Sequence, residues 1–489
     1  MMPNTYTNNL TRNVFSQSMG QFFSLLINLF AIALAARYLG VNDFGVFNYL
    51  LAVIVILTKL VDLGIAPNIF REYSIHRALE LINSGILLRI FTFLIISILI
   101  NLFFFLYSTD QREIILSNVL LANLLISSKG FIRELFEIPF KVDLKIHLPI
   151  VVMLMDNLLF LLLVFFMPYV NGGLIYFGIV YTLSNLPGFF VMIFLINKNY
   201  NYQFKTKITS FGWLVKNSLP LFIYTLLNTI FYNIDLLLLK KLDSVYSAGI
   251  YSAAARLIMP MLIIPTAFIH SVFPKISTDY HNSVSSNFII IKFLFKTLFL
   301  LSFTLAIVTT FKSTELITFI YGSSFSSSAS SLSILLWSQV FLFNSFLVIN
   351  LLVAYNKQSS LYLFSILILV LNIILNFVLI PEYSFVGAAY SKLFSNFLGF
   401  FITAIVLYKL DKTIYILEKE LLFFSLVVTV VCYLLSFLIL PLYLITAIIF
   451  VVLLIIFIKF YNSTEIKFLL KLINKENWYG TGIFINYRK

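Results

Sequence analysis

Charge is scarce in this chain. Asp, Glu, Lys and Arg make up 11% of its 489 residues, against roughly a quarter in an ordinary soluble domain. A soluble globular protein of this length is thereby excluded. Cysteine is nearly absent: the single Cys432 lies in an apolar run and leaves no intrachain disulfide to form. With four histidines and no Cys/His clustering, no metal site is read and no cofactor is expected. A Gly-rich phosphate loop of the P-loop pattern is missing, which excludes ATP hydrolysis by that route. Paired carboxylates or a Ser/His set on an outer loop are also missing, so no catalytic constellation is read and the chain is not expected to be an enzyme. Finally, no polar loop is long enough to hold a folded domain, and the serine-rich run 323–333 reads as a connector.

What fills the chain is apolar. Hydrophobic residues make up 61% and mean hydropathy is +1.00. The apolar runs are about 20 residues long, the length a helix needs to cross the hydrocarbon core. In lipid the backbone must satisfy its own hydrogen bonds, which leaves helices or closed barrels. These runs are continuous rather than alternating, so the fold class is an all-α polytopic membrane protein. About fourteen spans are expected, at 15–36, 44–64, 84–107, 114–136, 148–167, 174–197, 214–239, 248–273, 288–310, 332–354, 361–380, 385–408, 421–440 and 442–460. The fourth is the weakest, since Lys129 and Arg133 cut into its end. The first run is long for a signal-peptide core and lacks a small-residue cleavage site, so it reads as a retained span.

The net charge of +13 is spread over short loops rather than gathered in a patch, so nucleic acid is not expected as a partner. With a cytoplasmic N-terminus, the inner loops carry Arg71, Arg77, Lys141, Lys145, Lys198, Lys205 and many more cations. The outer loops hold only Arg37, Arg112, Lys240, Lys241 and Lys312. That bias places both termini in the cytoplasm and asks for an even number of spans.

Two matches point to an internal duplication. Gly45-Val46-Phe47-Asn48 opens the second span and Gly249-Ile250-Tyr251-Ser252 opens the eighth. Ser184-Asn185-Leu186-Pro187-Gly188-Phe189-Phe190 in the sixth resembles Ser395-Asn396-Phe397-Leu398-Gly399-Phe400-Phe401 in the twelfth. The order is the same and the offset nearly constant. Two pseudo-symmetric six-helix lobes are therefore expected, 1–205 and 206–410, with two further helices and a tail in 411–489. Same-direction repeats are one transporter plan, with the substrate between the halves.

Polar residues line two corresponding spans: Gln17, Gln21, Ser24 and Asn28 in the first, and Thr225, Asn228, Tyr232 and Asp235 in the seventh. Each stripe shares one helical face. It serves either interhelical hydrogen bonding or the lining of a cavity. Charges within the spans are Lys59, Asp62, Arg89, Asp156, Asp235, Arg256, Lys296 and Lys392. Such groups are costly in a membrane and face protein or water. Asp235 and Arg256 lie at similar depths on a helical hairpin, which makes an ion pair between them plausible. Arg89, Arg256, Lys296 and Lys392 leave the interior mildly cationic, as a site for a phosphate-bearing anion would be. Asp62, Asp156, Asp235, Asn228, Gln21 and Asn28 are the candidate cavity or coupling residues. Pro260 and Pro265 should kink the eighth span, and His270 reads as interfacial.

The chain resembles the oligosaccharide-lipid flippases of the polysaccharide-transporter family, in the MATE-like MOP exporter superfamily. The resemblance rests on Ala36-Arg37-Tyr38-Leu39-Gly40 followed by Phe44-Gly45, and on Asp62-Leu63-Gly64. It continues through Asn233-Ile234-Asp235, Tyr246-Ser247-Ala248-Gly249-Ile250-Tyr251-Ser252, Ile320-Tyr321-Gly322 with Phe325, Asn376, Ile380-Pro381 and Phe385-Val386-Gly387-Ala388-Ala389. It implies two six-helix lobes around a cavity, two extra C-terminal helices and alternating access. It also implies an undecaprenyl-diphosphate-linked oligosaccharide, such as an O-antigen repeat unit, moved to the outer leaflet of a bacterial inner membrane. Membrane lipids and other polysaccharide-assembly membrane proteins are the implied partners. A cation-coupled multidrug exporter of the same superfamily, and a membrane-embedded polymerase or glycosyltransferase, are the alternatives.

Overall fold

The computed structural model describes residues 4–410, except 108–109, 129, 206–209, 270–271, 273–275, 277–286 and 356–358. The expected thirteenth and fourteenth spans and His270 lie outside the described residues. Every regular element among the described residues is helical. In order these are α1 (Asn4–Asp62), α2 (Ile65–His76), α3 (Leu79–Tyr107), α4 (Gln111–Ile126), α5 (Arg133–Val142), α6 (His147–Phe165), α7 (Leu174–Leu183), α8 (Leu186–Tyr200), α9 (Ser210–Leu242) and α10 (Val245–Ile258). After a 3-10 turn, Met259–Leu262, come α11 (Asn287–Tyr321), α12 (Ser328–Ala354) and α13 (Ser359–Leu410).

Nine helical stretches among the described residues are long and apolar enough to cross a membrane. Two of the nine each hold two expected spans. Met19–Asp62 has 44 residues and Leu361–Lys409 has 49. At about 1.5 Å per residue, either exceeds twice the hydrocarbon thickness. The chain turns within each: at Gly40, with φ 75, and at Ser384, with φ 54. Both lie in the left-handed region that ends a regular helix.

The expected span 114–136 is not one helix. α4 has 16 residues and stops at Ile126, and α5 is a separate helix of 10 residues. Between them Gly130 N donates to the Ser127 carbonyl at 2.8 Å and Phe131 N to the Leu124 carbonyl at 3.0 Å, forming a tight turn. At the other end of α4, Asp110 caps the helix by accepting from the Arg112 backbone N–H at 2.9 Å. Hydrogen bonds from Arg112 hold that carboxyl below its usual range. The expected sixth span is two helices, α7 and α8, meeting at Ser184 and Asn185. The eighth is interrupted where Pro260 sits in the 3-10 turn, as its prolines required.

The described chain forms two compact units. The first comprises Met1–Ile263, Ser313–Leu335 and Ser359–Ser395. In it α1 packs most heavily on α6, α9 and α10, and α4 on α7. A cluster of Ile65, Ile69, Ile82, Leu135, Phe140 and Met192 joins α2, α3, α5 and α8. The second unit comprises Ile264–Lys312, Leu336–Gln358 and Asn396–Lys489. Its described part stacks Phe295, Phe299 and Phe303 one turn apart along α11, with interplanar angles of 19°. Trp337 packs edge-on to Phe303 and donates to Thr310 Oγ1 at 3.0 Å. Asn396 donates to Ser338 Oγ at 3.1 Å.

Candidate functional site

In the first unit, α1 and α10 cross at two glycines. A Cβ on Gly45 would lie 2.2 Å from the Val245 carbonyl oxygen, and one on Gly249 would lie 2.2 Å from that of Val41. These are the glycines that open the repeated Gly-Val-Phe-Asn and Gly-Ile-Tyr-Ser stretches. Small residues let membrane helices approach this closely. The approach carries the next turn of each helix into contact. Arg256 Nε donates to Asn48 Oδ1 at 2.6 Å. The guanidinium carbon lies 5.8 Å from the Phe44 ring centroid and 6.0 Å from that of Phe47. Phe47 in turn packs on Phe177 and Tyr181, and Phe44 on Tyr321 and Phe325. The half-buried Arg256 thus sits among aromatic rings and an amide.

The expected pair between Asp235 and Arg256 does not form. Asp235 is 1% exposed, and its carboxylate is taken by other groups. Lys392 lies 2.8 Å from Oδ2, which also accepts from the Tyr251 hydroxyl at 2.8 Å. Asn376 donates to Oδ1 at 2.9 Å. Lys392 donates as well to the Phe231 carbonyl at 2.5 Å and lies over the Phe231 ring at 3.9 Å. Similar depth on a hairpin does not fix rotation about each helix, and Asp235 faces α13 rather than the guanidinium.

Three more of the charges singled out in the spans, Arg89, Asp62 and Asp156, are also paired. Arg89, fully buried, bonds to Asp62, lies 3.1 Å from Glu134 and donates to the Phe131 carbonyl at 2.7 Å. Asp156 pairs with Arg133 at 2.5 Å, and Arg133 approaches Glu137 at 3.5 Å. Arg133, Glu134 and Glu137 were missed as partners because they lie at, and just past, the charged end of the expected fourth span. Their alternation on a short amphipathic helix, α5, was the available signal. Lys296 belongs to the second unit, where it is 1% exposed.

The polar stripes divide. Asn28 donates to Asn157 Oδ1 at 3.3 Å, and Asn157 reaches Ser24, so this part of the first stripe joins α1 to α6. Gln21 is exposed. Asn228 donates at 2.8 Å to the Tyr224 carbonyl of its own helix. Among the described residues no three His, Cys, Asp or Glu side chains gather as a metal site would.

Among the described residues these features define a multi-pass helical membrane protein, and the solved structures it resembles give it the MATE-like fold. A lipid II flippase, MurJ, in an inward closed conformation aligns over 91% of this chain and 98% of its own, with TM-score 0.73 and 17% identity. An inward-facing multidrug resistance MATE family transporter of the MOP superfamily aligns over 80% and 96%, with TM-score 0.59 and 14% identity. The Vibrio cholerae MATE transporter VcmN in its bent form aligns over 84% and 100%, with TM-score 0.53 and 13% identity. No curated protein matches. The chain belongs to the polysaccharide biosynthesis protein family, which matches residues 10–279.

Proposed function

We propose that the chain is a flippase for undecaprenyl-diphosphate-linked oligosaccharide repeat units, of the O-antigen kind. It carries them from the cytoplasmic to the outer leaflet of a bacterial inner membrane by alternating access. Both termini lie in the cytoplasm. Two six-helix lobes, 1–205 and 206–410, move about a shared cavity, and 411–489 supplies two further helices and a tail. The chain catalyses no bond making or breaking.

One observation carries this reading. Arg256 is held by an amide, whereas Arg89, Arg133 and Lys392 are each held by a carboxylate. A cation at membrane depth costs about 2.5–3.5 kcal/mol on insertion scales. One whose charge is not spent on an internal partner is available to an anion, and the guanidinium fork suits phosphate oxygens. Family membership and the fold shared with a lipid II flippase support the same substrate chemistry. Within the site Arg256 binds the anion, while Arg89, Lys392, Asp62, Asp156 and Asp235 hold the helices in register. A multidrug exporter for organic cations would call for an uncompensated carboxylate, and Asp62, Asp156 and Asp235 are all paired.

The test is complementation of a deletion strain. Arg256→Gln should abolish surface polysaccharide at normal membrane levels, with the lipid-linked precursor accumulating, while Arg256→Lys should retain part of the export. Full surface polysaccharide with Arg256→Gln would refute the reading.

A further inference from the structure

Among the described residues, Arg256 is gripped at one edge only. Its Nε donates to Asn48 Oδ1 at 2.6 Å. Asn48 Nδ2 donates in turn to the Phe44 carbonyl at 2.7 Å, which turns the amide oxygen toward the guanidinium. Asn48 is 4% exposed, so the arrangement is fixed by packing. An amide oxygen accepts the hydrogen bond without bringing a charge. The guanidinium therefore keeps its positive charge and presents its two terminal nitrogens. In the repeated stretch Ser252 stands where Asn48 stands, and its hydroxyl bonds within its own helix, to the Gly249 carbonyl at 2.9 Å. The anchor is present in one repeat and not in the other.

A second group near Arg256 also lacks a partner. The Tyr321 hydroxyl is buried and finds no hydrogen-bond partner among the described residues. Its ring lies 6.2 Å from Phe44, the ring that also flanks Arg256, and 5.5 Å from Phe325. Among the described residues, Tyr321 and Tyr181 pack on the two rings that flank Arg256, Phe44 and Phe47. The backbone holds Tyr321 there: α11 ends at this residue because Gly322 takes φ 90, and Arg37 donates to the Phe319 and Ile320 carbonyls just before it. A buried hydroxyl with no acceptor is unfavourable and calls for a ligand that accepts from it.

We propose that Arg256, Tyr321 and Asn48 form one phosphoryl-binding site. The terminal nitrogens of Arg256 and the hydroxyl of Tyr321 donate to oxygens of a phosphate or diphosphate. Asn48 is the positioning residue that aims the fork without neutralising it. This rests on the reading of the chain as a carrier of an anionic lipid, and names the residues that discriminate the anion. Asn48→Asp is nearly isosteric but places a carboxylate against Arg256, an internal competitor for the ligand.

The test uses full-length protein in lipid nanodiscs, following its melting temperature against a polyprenyl diphosphate and, separately, inorganic diphosphate. Wild-type protein should show a saturable upward shift. A shift with the lipid alone assigns the site to a membrane-anchored headgroup, and a shift with both assigns it to the phosphoryl group itself. Asn48→Asp should abolish the shift, Asn48→Ser should retain it, and Tyr321→Phe should weaken binding about tenfold, the loss of one hydrogen bond to a charged group. Tyr321→Phe keeps the ring and its packing, so it decides the matter where Asn48→Asp does not fold. Wild-type affinity in both Asn48→Asp and Tyr321→Phe, with loss in Arg256→Gln, overturns the three-residue site and leaves the carrier reading standing. Absence of a shift in wild-type protein with either ligand overturns the carrier reading as well.

Discussion

Gly45 and Gly249, the first residues of the two repeated stretches, pack against each other. A Cβ on Gly45 would lie 3.0 Å from the Gly249 backbone nitrogen and 2.2 Å from the Val245 carbonyl oxygen. Both obstacles are main chain, so neither can step aside as a flexible side chain would. Overpacking of this kind costs about 1–3 kcal/mol. Gly249→Val should therefore lower the melting temperature of the purified protein and reduce export more than its stability loss explains, because it pushes Arg256 away from Asn48. An unchanged melting temperature would show that the helices do not meet there.

Asp235 and Lys392 form a buried pair, and breaking such a pair leaves one charge uncompensated, at about 3–5 kcal/mol. Asp235→Asn and Lys392→Met should each destabilise strongly, and the double variant should recover much of the loss. The check is a thermal-unfolding double-mutant cycle. Contact requires a coupling above about 0.5 kcal/mol, and strict additivity would argue against it.

Gly188 closes over another buried pair, Arg133 and Asp156. A Cβ there would sit 2.2 Å from Asp156 Oδ1 and 2.7 Å from Arg133 Nη1. Gly188→Ala should displace one partner and destabilise by about 1–3 kcal/mol. In an Asp156→Ala background, which vacates the space but itself leaves Arg133 without that carboxylate, the added cost of Gly188→Ala should fall toward zero. Equal melting temperatures for Gly188→Ala and wild type would contradict the packing.

The helices were legible because each must be apolar along its length. Their breaks were less so: Gly40 and Ser384 terminate helices through backbone angles that hydropathy does not register. The α4–α5 division was half visible, since Lys129 and Arg133 marked the fourth span as weak without indicating a second helix. Composition identified Arg256, Asp235, Lys392 and Arg89 as costly residues that something must satisfy. It could not say which partner satisfied each. Asp235 was matched to Arg256 by depth alone, whereas its partners Lys392 and Asn376 come from a helix distant in sequence. Asn48 was visible only as the last residue of a repeated stretch, and its neutral grip on Arg256 needed the helix crossing to be seen.

The most direct measurement is leaflet-to-leaflet movement of a fluorescent polyprenyl-diphosphate oligosaccharide in proteoliposomes, comparing wild type, Arg256→Lys and Arg256→Gln. Wild-type protein should move the lipid well above protein-free vesicles, with Arg256→Lys intermediate and Arg256→Gln at the protein-free rate. Equal rates for Arg256→Gln and wild type, or a wild-type rate no faster than vesicles without protein, would contradict the central claim.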